Sequence, residues 1–445
     1  MPYLRKALNE VHSFGRISIM KELALILFLS TYACLLIFPK YRTYVALGSA
    51  SLFVLVGIMP IANVFPAIDF NVLMMIGGTM GIVYLFIESK MPALLADIIL
   101  DRTPNVQWAI VSLALFAGII SAFVDNVATV LMVAPVAMTI AKKLKINPIN
   151  AIIAIAVSSN LQGAATLVGD TTSILLGGAA NMNFLDFFFY QNKIGMFWVV
   201  EVAAFTSMFM LLWLFRKEKA LIGLSENQVV TDYFPSFLLV SMVVLLVLAS
   251  LFPINNELIA THINGIICIS LMVIGLLYEL LFNKKASNVV TAIKEIDYQT
   301  LLLLAGLFVV IGAIKQAGLI TDIGNLFAQV SGGNLFVVYT LIVWVSVFLS
   351  AFIDNIPYVA TMLPVVAALA TSLNIPPTIL YFGLLCGATL GGNLTPIGAS
   401  ANIAGLGILR KEGYEVSAKQ FMSIGVPFTL IAVLTGYVMI WLIWA

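Results

Sequence analysis

Two short polar motifs interrupt apolar stretches of this chain at matching places. Residues 121–126 read Ser-Ala-Phe-Val-Asp-Asn, and residues 350–355, which lie 229 positions later, read Ser-Ala-Phe-Ile-Asp-Asn. A carboxylate at the depth of a lipid bilayer is costly, so an intramembrane Asp is by default a candidate for ion or solute binding. The first candidates are therefore Asp125, Asn126, Asp354 and Asn355, because hard cations such as Na⁺ prefer carboxylate and amide oxygens. The amide protons of Asn126 and Asn355 can instead meet an anion, and residue type alone does not choose between these roles.

A second pair of polar segments follows the first pair at the same spacing. Residues 158–173 and 387–402 combine Gly, Ser, Thr and Asn within apolar sequence. Such segments are typical of discontinuous membrane helices, whose half-helix ends bind ions or polar solutes. The offset of 229 residues aligns Gly163 with Gly392, Thr166 with Thr395 and Gly169 with Gly398. The candidate ligands here, together with Thr129 after the first Asp-Asn pair, are Asn160, Gly163, Thr166, Gly169, Asp170, Thr389, Asn393, Thr395, Gly398, Ser400 and Asn402.

Asp170 has no counterpart in the second copy, because position 399 is Ala. A lone carboxylate in one broken helix can hold a coupling cation or carry a proton. A simpler interpretation is that Asp170 caps the helix that begins at Thr171, and Asp125 and Asp354 can likewise cap the helices that follow them. Duplication favours a transport role for Asp125 and Asp354. For Asp170 both interpretations stay open. The cation site that we predict draws on Asp125, Asn126, Asp170, Asp354 and Asn355.

The composition places these motifs in a membrane. Apolar residues make up 62% of the chain, charged residues make up 10%, and the mean hydropathy is +1.08. These values are typical of a polytopic membrane protein. The net charge is only +1, and no tract is rich in Lys or Arg, so we expect no nucleic-acid partner.

The remaining titratable residues indicate neither a metal centre nor a disulfide. The three cysteines lie in apolar runs without a CxxC spacing, and His12 and His262 are isolated. We therefore expect no cofactor besides a coupling ion. Glu201 lies inside a predicted span, where it can act as a relay carboxylate or bond a hydroxyl group of a neighbouring helix.

Apolar runs long enough to cross a bilayer, about 17 to 25 residues each, fall into two similar sets. After three runs of each set comes a segment with the Asp-Asn pair near its middle, which we predict to be a re-entrant hairpin. A broken helix and a closing span follow. The predicted organisation is an N-terminal segment 1–21, a first repeat 22–215 (hairpin about 107–141, broken helix about 148–180), a linker 216–233, and a second repeat 234–445 (hairpin about 336–372, broken helix about 377–410).

The number of crossings sets the relative orientation of the repeats. Each repeat has about five transmembrane helices, counting the discontinuous helix, plus the hairpin, and an odd number of crossings inverts the second repeat relative to the first. Most basic loop residues then fall on one side, which the positive-inside rule identifies as cytoplasmic. We therefore predict an all-α polytopic membrane protein of two inverted repeats, located in the plasma membrane.

Four ordered motifs resemble the ion transporter superfamily. Its branches include arsenite permeases, NhaD-type sodium/proton antiporters, the melanosomal P protein, and citrate and divalent-anion/sodium symporters. The resemblance covers nearly the whole chain. The motifs that carry it are Phe123-Val-Asp-Asn-Val, Gly163-Ala-Ala-Thr-Leu-Val-Gly-Asp170, Phe352-Ile-Asp-Asn-Ile-Pro-Tyr-Val-Ala-Thr-Met-Leu-Pro364 and Gly391-Gly-Asn-Leu-Thr-Pro-Ile-Gly-Ala-Ser-Ala-Asn402.

The resemblance implies a two-repeat fold with re-entrant hairpins, a homodimer, and elevator-type alternating access by a transport domain that moves against a scaffold. Two departures leave the solute open. Relatives of the P-protein and arsenite-permease type usually follow Gly-Asp with Pro-Pro-Asn, whereas this chain has Thr171-Thr172-Ser173. The divalent-anion symporters carry Ser-Asn-Thr at the hairpin tips, where this chain has Asp-Asn.

Our hypothesis from the sequence is a secondary active transporter, not an enzyme, that uses a Na⁺ or H⁺ gradient to move a small anion or an arsenite-like solute. A site with three aspartates and no buried Lys or Arg repels an anion unless cations bind with it. The expected partners are a small ion or solute, the lipid bilayer and a second copy of the chain. A Na⁺/H⁺ antiporter is the alternative. A passive channel and an intramembrane aspartyl protease are further alternatives, although the protease motif Gly-x-Gly-Asp is broken by Leu167.

Overall fold

The computed structural model describes residues 2–144, 146–220, 229–230, 232–252, 256–284, 286–330 and 332–445. Parts of two predicted segments lie outside the described residues. These parts are residue 1 of the N-terminal segment 1–21, and residues 221–228 and 231 of the linker 216–233.

The described chain is almost entirely helical. Its first half contains α1 (Pro2–Ile37), α2 (Arg42–Leu55), α3 (Ile61–Ala67), α4 (Phe70–Glu88), α5 (Met91–Leu100), α6 (Val106–Ser121), α7 (Asn126–Leu144), α8 (Ile149–Gly163), α9 (Thr171–Ala180) and α10 (Met196–Leu214). Its second half contains α11 (Phe234–Leu251), α12 (Glu257–Leu281), α13 (Ala286–Glu295), α14 (Tyr298–Gln316), α15 (Leu319–Val330), α16 (Leu335–Ser350), α17 (Asn355–Leu373), α18 (Thr378–Gly391), α19 (Ser400–Lys411) and α20 (Ala418–Trp444). Short 3₁₀ helices lie at Pro39–Tyr41, Leu185–Phe187 and Gly392–Leu394, and a two-residue hairpin pairs β1 (Phe189–Tyr190) with β2 (Lys193–Ile194).

The two halves place their helices at the same spacing. The starts of α6, α7, α8 and α9 precede those of α16, α17, α18 and α19 by 229 residues each, and α4 and α5 precede α14 and α15 by 228. The caps repeat as well. The Asn105 side chain accepts a hydrogen bond from the backbone amide of Trp108 at the start of α6, and Asn334 accepts one from Phe336 at the start of α16. Local capping chemistry therefore begins the equivalent helices at equivalent residues.

The chain divides into two compact units. The first unit comprises Met1–Asp69, Tyr298–Val338 and Ala360–Pro377. Within it α14 packs on α1 and α2, and buried Phe53, Met59 and Val310 lie in its core. An exposed ion pair joins the Lys21 ammonium to the Asp322 carboxylate at 2.5 Å.

The second unit comprises Phe70–Asp297, Tyr339–Val359 and Thr378–Ala445. Within it α4 packs on α11 and α12, α6 and α7 pack on α8, α19 packs on α7 and α8, and α10 packs on α20. In each unit, therefore, a long helix that comes before the hairpin in one half, α14 or α4, packs against the first two helices of the other half. All the candidate site residues lie in the second unit.

Eight described helical segments are long and apolar enough to cross a membrane, by length and composition: Met20–Ile37, Phe70–Glu88, Met196–Leu214, Phe234–Leu251, Ile259–Leu281, Ala286–Gln316, Asn355–Leu373 and Ala418–Trp444. The prediction of an all-α polytopic membrane protein is confirmed. Four short helices that the apolar runs did not indicate, α3, α5, α13 and α15, stand between the longer ones.

Candidate ion and solute site

The two hairpin tips have the same internal hydrogen bonds. The Ser121 hydroxyl donates to the Asn126 amide oxygen at 2.7 Å, and the Ser350 hydroxyl donates to the Asn355 amide oxygen at 2.5 Å. These bonds turn each amide oxygen toward the end of the incoming helix. The serines open the doubled Ser-Ala-Phe-x-Asp-Asn motif, but they are not among the site residues predicted from the sequence.

Asp125 and Asp354 both cap the outgoing hairpin helix. The Oδ1 atom of Asp125 accepts hydrogen bonds from the amides of Val127 (3.0 Å) and Ala128 (3.1 Å). The Oδ1 atom of Asp354 accepts one from the amide of Ile356 at 3.1 Å, and its Oδ2 atom accepts one from the Ser400 hydroxyl at 3.1 Å. Each carboxylate thus has a structural role through Oδ1, and capping leaves its other oxygen for a further interaction.

In each half, a threonine of the broken helix donates a hydrogen bond to the neighbouring hairpin tip. The Thr166 hydroxyl donates a hydrogen bond to the carbonyl oxygen of Ala122, and the Thr395 hydroxyl donates one to the carbonyl oxygen of Ala351. Gly163 lies against the Asn126 side chain, so closely that a methyl group at position 163 would overlap the amide oxygen. The tip and the broken helix of each half therefore form one polar cluster.

Backbone carbonyl oxygens crowd around Gly169 and Gly398. A methyl group on Gly169 would lie 2.6–2.7 Å from the carbonyl oxygens of Ser121, Ala122 and Gly163. The equivalent group on Gly398 would lie 2.6–2.9 Å from the carbonyl oxygens of Gly392, Ala351 and Ser350. Only glycine tolerates such a close approach.

These carbonyl groups have the chemistry of cation ligands. They stand at or next to the carboxyl ends of α6 and α8 and their second-half equivalents α16 and α18, where a helix exposes unpaired carbonyls and partial negative charge. Each carbonyl oxygen has two lone pairs, so the hydrogen bond that Ala122 or Ala351 accepts does not exhaust it. With the Asn126 or Asn355 amide oxygen close by, each half offers a set of neutral oxygens that fits a hard cation.

Asp170 occupies the position before α9, but its side chain makes no capping hydrogen bond. Asp170 is thus at the N-cap position, but the interpretation that its carboxylate caps the helix is wrong. Its Oδ2 atom instead accepts the hydroxyl proton of Thr172 at 2.7 Å, and Thr172 lies 2.9 Å from the Thr389 hydroxyl on α18. Asp170 is only 7% exposed. Thr172 is not among the site residues predicted from the sequence.

Three amides join the two broken helices directly. The Asn160 Nδ2 atom donates to Asn393 Oδ1 at 2.8 Å and to Asn402 Oδ1 at 3.0 Å. Asn393 in turn donates to the carbonyl of Val157, and Asn402 donates to the carbonyls of Gly392 and Thr395. All three side chains are buried. This network ties the halves together without any charge.

Thr129 and Glu201 differ in their relation to the cluster. The Thr129 hydroxyl, one turn after Asp125, is fully buried and has no hydrogen-bond partner among the described atoms. A buried hydroxyl without a partner is costly, so Thr129 is a credible ligand. Glu201 is half-buried on α10, and among the described residues no hydrogen bond joins it to the site.

The candidate site is negatively charged, and the segments that form it contain no basic residue to balance this charge. Segments 106–141, 149–192 and 335–409 contain no Lys or Arg. The ion pairs found among the described side chains, Lys21 with Asp322 and Lys142 with Glu412, involve none of the candidate ligands. In the described part of the chain, no group of three His, Cys, Asp or Glu side chains is arranged to hold a metal ion. The three aspartates are therefore separate groups that a mobile cation can neutralise.

The hairpin and the broken helix of each half pack a small residue against a larger one. The small residue lies on the hairpin in the first half and on the broken helix in the second. In the first half Gly118 makes room for the Gln162 amide, which a methyl group at position 118 would overlap. In the second half the equivalent positions are Val347 and Gly391, and a methyl group on Gly391 would lie 2.6 Å from the Val347 Cα atom. Each half thus packs one small residue against one larger residue.

The sequence profile of the family described as Citrate transporter matches residues 32–387, a span that includes Asp125, Asp170 and Asp354. This chain belongs to the citrate transporter family. It is a membrane transporter, and the expected membership of the ion transporter superfamily is confirmed.

Relatives and a solved structure agree with this family assignment. The chain is 30% identical over 432 residues to an uncharacterized transporter of Mycobacterium bovis, which covers 95% of this chain and 98% of the relative. It is 27% identical to the P protein of Mus musculus over 88% of this chain and 56% of the mouse protein. The YdaH transporter of Alcanivorax borkumensis shares the fold with a TM-score of 0.60, at 15% identity, over 85% of this chain and 86% of YdaH.

Proposed function

We propose that this family member is a Na⁺-coupled secondary transporter for a small anion, with citrate as the first solute to test and an arsenite-like solute as the second. The proposed site lies between the hairpin tips and the broken helices. Among the candidate residues of that cluster, we propose that Asp125, Asn126, Asp170, Asp354 and Asn355 lie nearest to the cation, and that the amides of Asn160, Asn393 and Asn402 hold the broken helices together.

The observation that carries the proposal is the doubled set of carbonyl oxygens around Gly169 and Gly398. Backbone carbonyls and amide oxygens are too weakly basic to take up a proton at neutral pH, but they replace the water shell of a metal cation well. Asn126 and Asn355 add one side-chain oxygen to each set. These features support Na⁺ over H⁺ as the coupling ion.

Charge explains why the cation and the solute travel together. The segments that form the site contain Asp125, Asp170 and Asp354 but neither Lys nor Arg. An anion that enters alone meets only like charges in a medium of low dielectric constant, which is strongly unfavourable. Bound Na⁺ offsets part of this negative charge and attracts the anion directly, so the cation must bind before or together with the anion.

The division into two compact units supports an elevator-type mechanism, because all the proposed ligands belong to the second unit. Equivalent hydrogen bonds at equivalent residues of the two halves support the inverted repeat. As in the sequence hypothesis, we propose a homodimer.

The decisive experiment uses the purified full-length protein in liposomes. A Na⁺ gradient and a pH gradient are imposed separately while uptake of citrate, succinate and arsenite is measured. We expect accumulation of at least one solute that requires the Na⁺ gradient and saturates with solute concentration. Uptake that ignores Na⁺, or that does not saturate, contradicts the proposal and indicates respectively another coupling ion or a channel.

One observation favours a second candidate, Na⁺/H⁺ exchange. No Lys or Arg in the site segments offers a partner for an anionic solute, whereas three aspartates can bind Na⁺ and H⁺ in turn. Proton efflux from solute-free liposomes in response to inward Na⁺ alone would establish this function. The same liposomes without protein provide the control.

A further inference from the structure

The contact between Thr172 and Thr389 has a defined direction. An ionised carboxylate can only accept hydrogen bonds, so the single hydroxyl proton of Thr172 goes to Asp170, at 2.7 Å. At the 2.9 Å separation of the two hydroxyls, the proton between them must therefore come from Thr389. Both threonines are fully buried. The chain of bonds runs from α18 of the second half to the charge of Asp170 in the first.

This contact has a neutral counterpart elsewhere in the same unit. At the offset of 229 residues Thr389 corresponds to Asn160, and Thr172 corresponds to Ala401, next to Asn402. The broken helices thus meet twice, once through Asn160 and Asn402 and once through Thr389 and Thr172. The amide contact ends on backbone carbonyls. The threonine contact ends on a carboxylate, so only the threonine contact responds to a cation.

We propose that Thr172 and Thr389, the threonine relay, hold Asp170 in the Na⁺-free state and tie the two broken helices together until Na⁺ binds at Asp170. This inference rests on the proposed Na⁺ coupling and adds two positioning residues to it. Na⁺ competes with the relay for the charge of Asp170.

The physical reason is the strength of hydrogen bonds to a charged acceptor. Such bonds are roughly twice as strong as those between neutral groups. When Na⁺ neutralises Asp170, the Thr172 bond weakens, and Thr389 loses a strongly polarised acceptor. Thr389 can turn its hydroxyl to the carbonyl of Leu385, four residues earlier in α18, so its end of the relay releases at little cost. Binding of the cation therefore loosens one of the two contacts between the broken helices.

The relay predicts an unusual sign for a mutation in a binding site. Thr172→Val removes the competing hydrogen bond and leaves the empty Asp170 with one hydrogen bond fewer, so Na⁺ should bind about tenfold more tightly. Thr389→Val should tighten binding about threefold, because it weakens the same bond indirectly. The double variant should match Thr172→Val alone, since Thr389 then has no hydroxyl to reach. Thr172→Ser should retain the wild-type value.

The measurement is the Na⁺ concentration that gives half-maximal thermal stabilisation of the purified full-length protein, with choline as the replacement ion. The same variants are then assayed for Na⁺-driven uptake in liposomes, where the two valine variants should transport more slowly than wild type despite tighter binding. Thr206→Val is the matched control, because it removes a partly buried hydroxyl that contacts Thr435 and no carboxylate. If Thr172→Val does not fold, Thr172→Ala makes the same test.

Failure of the relay and failure of the proposed function give different results. If wild type responds to Na⁺ and Asp170→Asn does not, but the valine variants bind Na⁺ equally or more weakly, the relay is wrong and the function stands. Multiplicative effects of the two valine substitutions also refute the relay. If Asp170→Asn keeps the wild-type response, or wild type has none, the assignment of Na⁺ to Asp170 is wrong and the relay falls with it.

Discussion

The hydroxyl oxygens of Thr206 and Thr435 lie 3.0 Å apart, and these two threonines stand 229 residues apart in the chain. They lie on α10 and α20, the closing helices of the two halves, which pack on each other. A residue that touches its own counterpart lies close to the axis relating two copies of a structure, as in a symmetric dimer. The offset first seen in the hairpin motifs therefore extends to a residue pair that carries no chemistry.

We expect Thr206→Val and Thr435→Val each to lower the free energy of unfolding by about 0.5–1.5 kcal/mol, the net value of one hydrogen bond. The double variant should lose more than either single variant, because each hydroxyl also donates to its own helix, Thr206 to the Ala203 carbonyl and Thr435 to the Ile431 carbonyl. Thermal unfolding in detergent measures the loss. Liposome uptake should stay within about twofold of wild type, and abolished uptake would show that the pair lies on the transport path.

Gly169→Ala and Gly398→Ala should be severe despite the small change. Each adds a methyl group 2.6–2.9 Å from three carbonyl oxygens, and overpacking of this kind costs about 1–3 kcal/mol. Because the carbonyls must move apart, we expect both variants to lose Na⁺-dependent thermal stabilisation. Gly407→Ala on α19 is the control, since nothing lies within 4 Å of the added methyl group there. Normal Na⁺ stabilisation of Gly169→Ala would exclude these carbonyls as ligands.

Asp125→Asn and Asp354→Asn separate charge from capping. Asn is as good a helix cap as Asp, so the thermal midpoint should stay near that of wild type. Removal of the negative charge should lower Na⁺-driven uptake at least about tenfold, equivalent to 1.4 kcal/mol. Asp322→Asn is the control, because it removes a carboxylate from an exposed ion pair outside the second unit, where such pairs contribute little. Wild-type uptake by both Asp125→Asn and Asp354→Asn would show that these aspartates only cap helices and do not bind the cation.

Asn393→Ala should affect stability more than transport affinity. Asn393 accepts from Asn160 and donates to the Val157 carbonyl, so its removal leaves buried polar groups unsatisfied at a cost of about 1–3 kcal/mol. Because its amide is engaged with protein on both sides, we expect the half-saturating Na⁺ concentration to change less than about twofold. A large loss of Na⁺ affinity in a folded variant would instead make Asn393 a direct ligand.

Much of the local geometry of the candidate site could be predicted, because its signals are local and occur in both halves of the chain. The Asp-Asn pairs start α7 and α17 through capping, which depends on residues within one turn. The 229-residue offset aligned the two hairpins and the two broken helices, and the helices of the structure begin at that offset. Apolar length located the long helices, since a span needs many consecutive apolar residues.

The rest depends on contacts between distant residues. Thr172 and Thr389 are 217 positions apart, and no local pattern shows that their hydroxyls meet. The N-cap position of Asp170 correctly predicted where α9 begins, but the Asp170 carboxylate makes no capping hydrogen bond and accepts one from the Thr172 hydroxyl instead. The short helices α5 and α15 escaped notice because 10 to 12 residues carry too little apolar length to stand out.

The packing pairs Gly118–Gln162 and Val347–Gly391 place the small residue on opposite elements of the two halves. This difference limits which segments can be exchanged between the halves. A chimaera that combines the first hairpin with the second broken helix would bring two glycines together and leave a void. The reverse chimaera would bring Gln162 against a valine and produce a clash. Although the halves share their motifs, hairpin and broken helix are complementary shapes within each half. Evolution or an engineer must therefore substitute them as a pair, so the symmetry of the chain is one of architecture and not of interchangeable parts.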